Sequence, residues 1–324
     1  MKQLANTLAP VIVVLASALC PVNAATPSWA YPVNPPGVPP VVDDGKPKQV
    51  PESTATFTQS QITAIAVQPP DWHPDEHPAM PGIVGRSREP GVYACGYCHL
   101  PNGAGRPENA NLAGLSASYI KAQVLAFRDG NRPGSEPARL PQNLMIEIAK
   151  ALTQAEIEES AAYFGALAPV SYVRVIESPD VPRTSVAGWM LTQAPGTDTE
   201  PIGTRIIELT PDFERFEHRD SRTPYVAYVP AGSIARGAEL VTTGGNGRTL
   251  PCAVCHGPDL NGLADAPPLN GRSPSYLFRQ LYDMRGGMRK GATVELMKPV
   301  VAKLTDADMV AIAAYLADRR VTAY

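Results

Sequence analysis

Two stretches of this chain, Cys95-Gly96-Tyr97-Cys98-His99 and Cys252-Ala253-Val254-Cys255-His256, set two thiols three residues apart with an imidazole directly behind them. On one helical turn, positions i, i+3 and i+4 share a face. Both thiols of a motif can therefore form thioethers with the two vinyl groups of a haem while the histidine ligates its iron. A zinc site would need two more Cys or His ligands close by, and none follows Gly257. The spacing thus points to two covalently bound haem c groups, held by Cys95, Cys98, Cys252 and Cys255, with His99 and His256 on the iron.

Such an iron either takes a second protein ligand and shuttles electrons or keeps an open position and does chemistry. Met145 and Met297 favour the first course. They follow their histidines by 46 and 41 residues, they align with each other, and each precedes the last helix of its repeat. A thioether favours ferrous iron and so raises the reduction potential. Met284 and Met288 are rivals, but Phe127 and Asn131 stand at the matching positions of the first repeat.

The elements that must hold these residues come in two copies. An offset of 157 pairs His99 with His256, Gly105 with Gly262, Tyr119 with Tyr276, Gln123 with Gln280, Arg128 with Arg285 and Arg132 with Arg289. After a five-residue length difference, an offset of 152 pairs Met145 with Met297, Thr153 with Thr305 and Tyr163 with Tyr315. Apolar spacing predicts helices over Ser118–Phe127 and Ser275–Tyr282, stopped near Gly130 and Gly287. Thr153–Glu156 and Thr305–Asp308 resemble capping boxes, which open helices over Ile157–Leu167 and Met309–Ala317. A first helix reads clearly only in the second copy, from Ser233 to Leu240. In the first copy it either lies earlier, around Thr58–Val67, or is replaced, because Pro78 to Pro90 is poor helix material.

Both halves resemble class I cytochromes c, and the tandem resembles periplasmic di-haem cytochromes c that pass electrons toward terminal oxidases. The similarity runs over roughly Tyr93–Leu167 and Ser233–Arg320. It implies a mainly α fold with two tandem domains, and His99/Met145 and His256/Met297 as axial pairs. It also implies a proline carbonyl that orients the ligating imidazole. Pro268 stands at that place in the second repeat, whereas Asn111 is its counterpart in the first, which predicts a different partner for His99.

Domain limits follow: 1–24 a signal peptide, 25–78 a Pro-rich arm, 79–167 the first haem domain, 168–232 an insert and 233–324 the second haem domain. Lys2 and the apolar run Val11–Leu19, followed by Val22-Asn23-Ala24, read as a secretory leader cut after Ala24 or Ala25, hence a periplasmic location. Lipidation at Cys20 is the weaker alternative, and cleavage would leave four cysteines, all inside the two motifs. The insert carries β-branched alternation at Tyr172–Ile176 and Arg205–Leu209 between many prolines, and reads as a small β-containing element that fixes the two haem domains together.

A net charge of −3 argues against nucleic acid. Arg128, Arg132, Arg285 and Arg289 could face haem propionates or lie at solvated helix ends, and Tyr119 and Tyr276 read as core aromatics. His73 and His77 lie among carboxylates, but Pro74 keeps a helix from bringing them onto one face, so a packed or solvated loop is expected there rather than a second metal site. His218 reads as a surface residue. The function expected is electron transfer between redox protein partners, not catalysis. A cytochrome subunit docked to a larger oxidoreductase, or a di-haem peroxidase or dehydrogenase with one open iron, are the alternatives.

Overall fold

The structure is a computed structural model that describes residues 26–37, 41–88 and 91–319. The leader with Cys20, and Pro39, Pro40, Pro90 and Arg320, lie outside the described residues.

The arm is extended apart from the short α1 (Gln59–Ile62) and a 3-10 turn at Pro74–Glu76, and α2 (Gly82–Gly85) follows it. The first motif forms α3 (Cys95–His99), and α4 (Ala117–Arg128), α5 (Leu140–Ala151) and α6 (Gln154–Gly165) complete the first repeat. The insert contains β1 (Val173–Glu177), β2 (Asp180–Pro182), β3 (Thr184–Ala187), β4 (Met190–Gln193), β5 (Thr199–Pro201), β6 (Ile207–Leu209), α7 (Phe213–Glu217) and β7 (Tyr225–Val229). The second repeat runs through α8 (Ser233–Thr243), α9 (Ala253–His256), α10 (Pro274–Arg285), α11 (Ala292–Glu295), α12 (Lys298–Val301) and α13 (Asp306–Asp318).

Local chemistry explains the long helices. Ser116 Oγ accepts from the Tyr119 amide at 3.1 Å and Ser273 Oγ from the Tyr276 amide at 3.2 Å, which satisfies an orphan donor at each start. Gly130 and Gly287 lie just past the helix ends at φ +70° and +72°, where a side chain would be strained. Both capping boxes are present: Thr153 with Glu156 opens α6, and Thr305 with Asp308 opens α13.

The two repeats bury their last helices differently. α13 packs on α8 and α10 and also under β1 and β7, so Met309 to Ala314 are buried all round. α8 can approach because Gly237 has no side chain; a Cβ there would meet the Ala311 carbonyl and lie 2.6 Å from Tyr315 Cβ. In the first repeat this helix is replaced rather than displaced. Thr58–Val67 yields only the four-residue α1, and it is α2 that packs on α3 and α6.

The insert builds a three-stranded sheet in the order β1-β7-β6, with β1 parallel and β6 antiparallel to β7, beside the antiparallel pair β2-β5, which encloses the hairpin β3-β4. Its parallel edge needs a crossover and a covered face, and α13 supplies the cover. The arm crosses the second repeat. Trp29 packs against Phe278 at 4.5 Å between ring centres, and Tyr31 donates to Asp283 Oδ1 at 2.7 Å. Among the described residues no helix is long and apolar enough to cross a membrane.

Candidate haem sites

The first motif faces a cavity of about 370 Å³. Cys95, Cys98, His99 and Met145 all line it, together with Ile120, Val124, Phe127, Ile148 and Phe164 from α4, α5 and α6. Met145 comes from within α5, the helix directly before the last one of the repeat. In the second repeat Cys252 and Met297 pack against one hydrophobic cluster, with Met297 between α11 and α12. Met284 packs against that cluster as well, whereas Met288 is exposed.

Each histidine is held the same way. His99 Nδ1 donates to the Ala110 carbonyl at 2.8 Å, and His256 Nδ1 donates to the Pro267 carbonyl at 2.8 Å. A carbonyl can only accept, so the proton is on Nδ1 and Nε2 keeps its lone pair for a metal. Burial pushes both imidazoles toward the neutral form, although each carbonyl pulls the other way. This corrects the expectation built on Pro268 and Asn111. The acceptors are the residues before those two, they match in the repeat, and because the group used is a main-chain carbonyl the first repeat does not need a proline.

Burial pushes Cys95 up to about 12 and Cys252 up to about 11, so neither is a thiolate at neutral pH.

The cavity suits an anionic ligand. Arg106, Arg132, Arg139, Arg219 and Arg279 line it against Glu108, Glu136 and Asp283, an excess of two positive charges. A haem carries two propionates. Arg139 is buried, its Nη1 donates to the carbonyls of Pro32 in the arm and Trp189 in the insert, and its Nη2 has no hydrogen-bond partner among the described residues. Burial, then Arg279 beside it, draws its guanidinium down to about 9, the mark of a cation short of counter-charge. The residues present therefore fit a haem at the first motif.

The four repeated arginines divide by position. Arg128 and Arg285 tie helix ends to the turn before the last helix: Arg128 donates to the Ala149 and Leu152 carbonyls, and Arg285 to the Leu304 carbonyl. Arg132 and Arg289 are buried between the repeats. Arg132 reaches Gln123 and Gln280, and Arg289 reaches Gln280, Gln123 and the Tyr119 hydroxyl.

The histidines outside the motifs pack. His73 Nε2 pairs with the buried Asp220 at 2.9 Å, and His77 Nε2 with Asp71 at 3.2 Å. His218 is buried rather than on the surface, because Trp72 from the arm lies over it and donates Nε1–H to its carbonyl at 2.7 Å. Sequence reasoning missed Arg139, whose partners lie 50 and 107 residues away, and Met80, whose sulfur sits beside Gly96 under the first motif. The length difference between the repeats, which falls around Arg139, was the available signal for it.

Comparison with known proteins follows the same lines. The family model for cytochrome c matches residues 234–319. The chain is 35% identical over 245 residues to cytochrome c4 of Pseudomonas aeruginosa, covering 74% of this chain and 89% of that protein. It is 28% identical over 233 residues to a thiosulfate dehydrogenase electron acceptor of Stutzerimonas stutzeri, covering 71% of this chain and 80% of that one. A solved structure of thiosulfate dehydrogenase from Marichromatium purpuratum aligns with a TM-score of 0.47 at 29% identity, covering 71% of this chain but only 37% of its own.

Proposed function

Because this chain belongs to the cytochrome c family, as a class I member, we propose that it is a periplasmic di-haem electron carrier relaying electrons between a donor and an acceptor. Its two tandem cytochrome c domains are residues 79–167 and 233–324, joined by the insert 168–232 and preceded by the arm. The observation that carries the reading is the repeated motif with its repeated support: two Cys-x-x-Cys-His turns whose histidines donate Nδ1–H to equivalent carbonyls at 2.8 Å.

In this reading Cys95 and Cys98 would anchor one haem and Cys252 and Cys255 the other, and His99 with Met145 and His256 with Met297 would ligate the irons. Haem, when bound, supplies one-electron exchange between ferric and ferrous iron. The carbonyls of Ala110 and Pro267 fix the tautomer and the ring plane of the histidines. The apolar side chains of α4, α5 and α6 exclude water from the first site, and Arg139 with its neighbours balances propionate charge there. No proton-transfer residue is called for.

The test is the far-red absorption band from methionine sulfur to ferric iron, quantified per haem, with a carbon monoxide titration of the reduced protein. Two bands' worth of intensity and no carbon monoxide binding uphold two closed sites and a carrier. A missing band with carbon monoxide bound at that site turns the reading to a haem enzyme.

A second reading concerns the partner. The likeness to a thiosulfate dehydrogenase electron acceptor favours a subunit that takes electrons from a dedicated dehydrogenase. Co-purification with such an enzyme supports it, and a freely soluble monomer that never co-purifies removes it.

A further inference from the structure

The repeat allows the surroundings of the two motifs to be compared position by position, and they differ in one consistent way. Tyr97, inside the first motif, is 4% exposed; its counterpart Val254 is 70% exposed. Arg106 is 7% exposed and its counterpart Leu263 56%. Pro101, Asn102 and Pro107 are buried where Pro258, Asp259 and Ala264 are exposed, and Cys255 is exposed while Cys98 is half-buried.

The cover over the first motif comes from the insert and the arm. The Arg219 guanidinium stacks on the Tyr97 ring at 3.8 Å and donates to the Tyr97 carbonyl at 2.9 Å. Phe216 of α7 lies under the Arg106 guanidinium at 3.7 Å. Pro69 and Met80 close over Gly96 from the other side. The stacked guanidiniums are held on aromatic faces in a dry setting, where such contacts are strongest.

Among the described residues nothing comparable lies over the second motif. Leu250, Val254, Leu263 and Leu296 are 52%, 70%, 56% and 75% exposed. They gather around the attachment turn: Leu250 is two residues before Cys252, Leu263 Cβ lies 3.9 Å from where a Gly257 Cβ would sit, and Leu296 precedes Met297. The Thr249 hydroxyl, bonded to the Val300 carbonyl at 2.7 Å, draws the Leu250 and Leu296 segments together. The flanking charges Lys298 and Glu295 pair with each other at 2.7 Å, and the exposed Asp259 and Asp265 stand at the edge of this apolar face.

We propose that the central insert is a redox cap, which closes the thioether edge of the first haem to protein partners and leaves the apolar face around Val254 and Leu263 as the single port. The partner that fits this port is a redox protein with an apolar surface around its own cofactor edge. Electrons for the first haem then pass through the second. This rests on the di-haem reading and adds the direction of access to it.

The test is film voltammetry of the holoprotein on gold coated with a methyl-terminated alkanethiol monolayer, an apolar probe surface. Wild type gives two waves, insensitive to salt. Val254→Glu and Leu263→Glu each lower the electroactive coverage at least tenfold, with both waves falling together, while Leu125→Glu on the first repeat's α4 changes nothing. These positions are exposed, so folding is not at stake. Survival of one wave in Val254→Glu means that the first haem has its own port and overturns the cap. So does unchanged exchange in both variants, and exchange that collapses in high salt overturns the apolar partner. A dimer in sedimentation that Val254→Glu dissolves assigns the face to a second copy instead. A mediated redox titration in bulk counts the haems independently, so a failure of the di-haem reading shows there first.

Discussion

Arg132 and Arg289, 157 residues apart, each bond both members of the same glutamine pair across the junction of the repeats: Arg132 reaches Gln123 at 3.0 Å and Gln280 at 2.9 Å, and Arg289 reaches Gln280 at 3.1 Å and Gln123 at 2.7 Å. The arrangement has local two-fold symmetry, as two copies of one unit meeting face to face should. Truncating either guanidinium leaves half-buried amide oxygens short of donors. Arg132→Ala and Arg289→Ala should each cost about 1.5–3 kcal/mol in urea unfolding of the holoprotein. The double variant should cost less than the sum, because both remove one network. Additive losses would mean the two guanidiniums act separately.

Gly237→Ala sets two effects against each other. Alanine gains roughly 1 kcal/mol of helix propensity over glycine. The added methyl, however, runs into the Ala311 carbonyl and sits 2.6 Å from Tyr315 Cβ, so α8 must move off α13. Overpacking of this kind costs about 1–3 kcal/mol or more. The variant should therefore unfold at lower denaturant than wild type, with the second motif's absorption lost first.

Acid stability should depend on Glu156. Hydrogen bonds from Arg88 and from Thr153 hold its carboxyl down at about 2, against an ordinary 4.5. A depressed carboxylate contributes stability that is fully present above pH 4.5 and disappears as the pH falls toward 2. Glu156→Gln should flatten the stability profile across that window and lower stability at neutral pH by about 0.2–1 kcal/mol through loss of the exposed ion pair with Arg88, because glutamine keeps the capping box. Unfolding curves at a series of pH values check both.

Exchange of an axial methionine should move one potential and leave the other. Met145→His or Met297→His replaces a thioether that favours ferrous iron, so the altered haem should become harder to reduce by more than tenfold in its equilibrium, about 59 mV per tenfold for one electron. A spectroelectrochemical titration reads the two steps. An unchanged pair of potentials in Met297→His would pass the role to Met284.

What could be read from the chain was what depends on residues close together or repeated. The motifs, the helix stops at Gly130 and Gly287 and both capping boxes are local, and the structure shows the stops and boxes where the pattern placed them. The missing first helix of the first repeat was legible only as a doubt, because prolines announce what cannot form and not that α2 takes its place. His218 was misread because its burial is decided by Trp72, 146 residues earlier. The acceptor of His256 was misassigned by one residue and the matching one of His99 was not foreseen, since a main-chain carbonyl leaves no mark on side-chain identity. Gly237 shows the same limit, as nothing in its neighbours announces that another helix passes there.

One guanidinium draws together the most distant parts of the molecule. Arg279 donates to the Ala30 carbonyl of the arm and to the Pro107 carbonyl of the first repeat, one turn before Asp283 receives Tyr31. Closing a loop of some 250 residues costs only slightly more entropy than closing one of half that length, since the cost grows with the logarithm. The time taken to find such a contact does grow with separation. The arm can be fastened only after α10 has been synthesised and folded. The arm is thus the last seam, and the cavity at the first motif, which Tyr31 helps to line, stays open until the second repeat is finished.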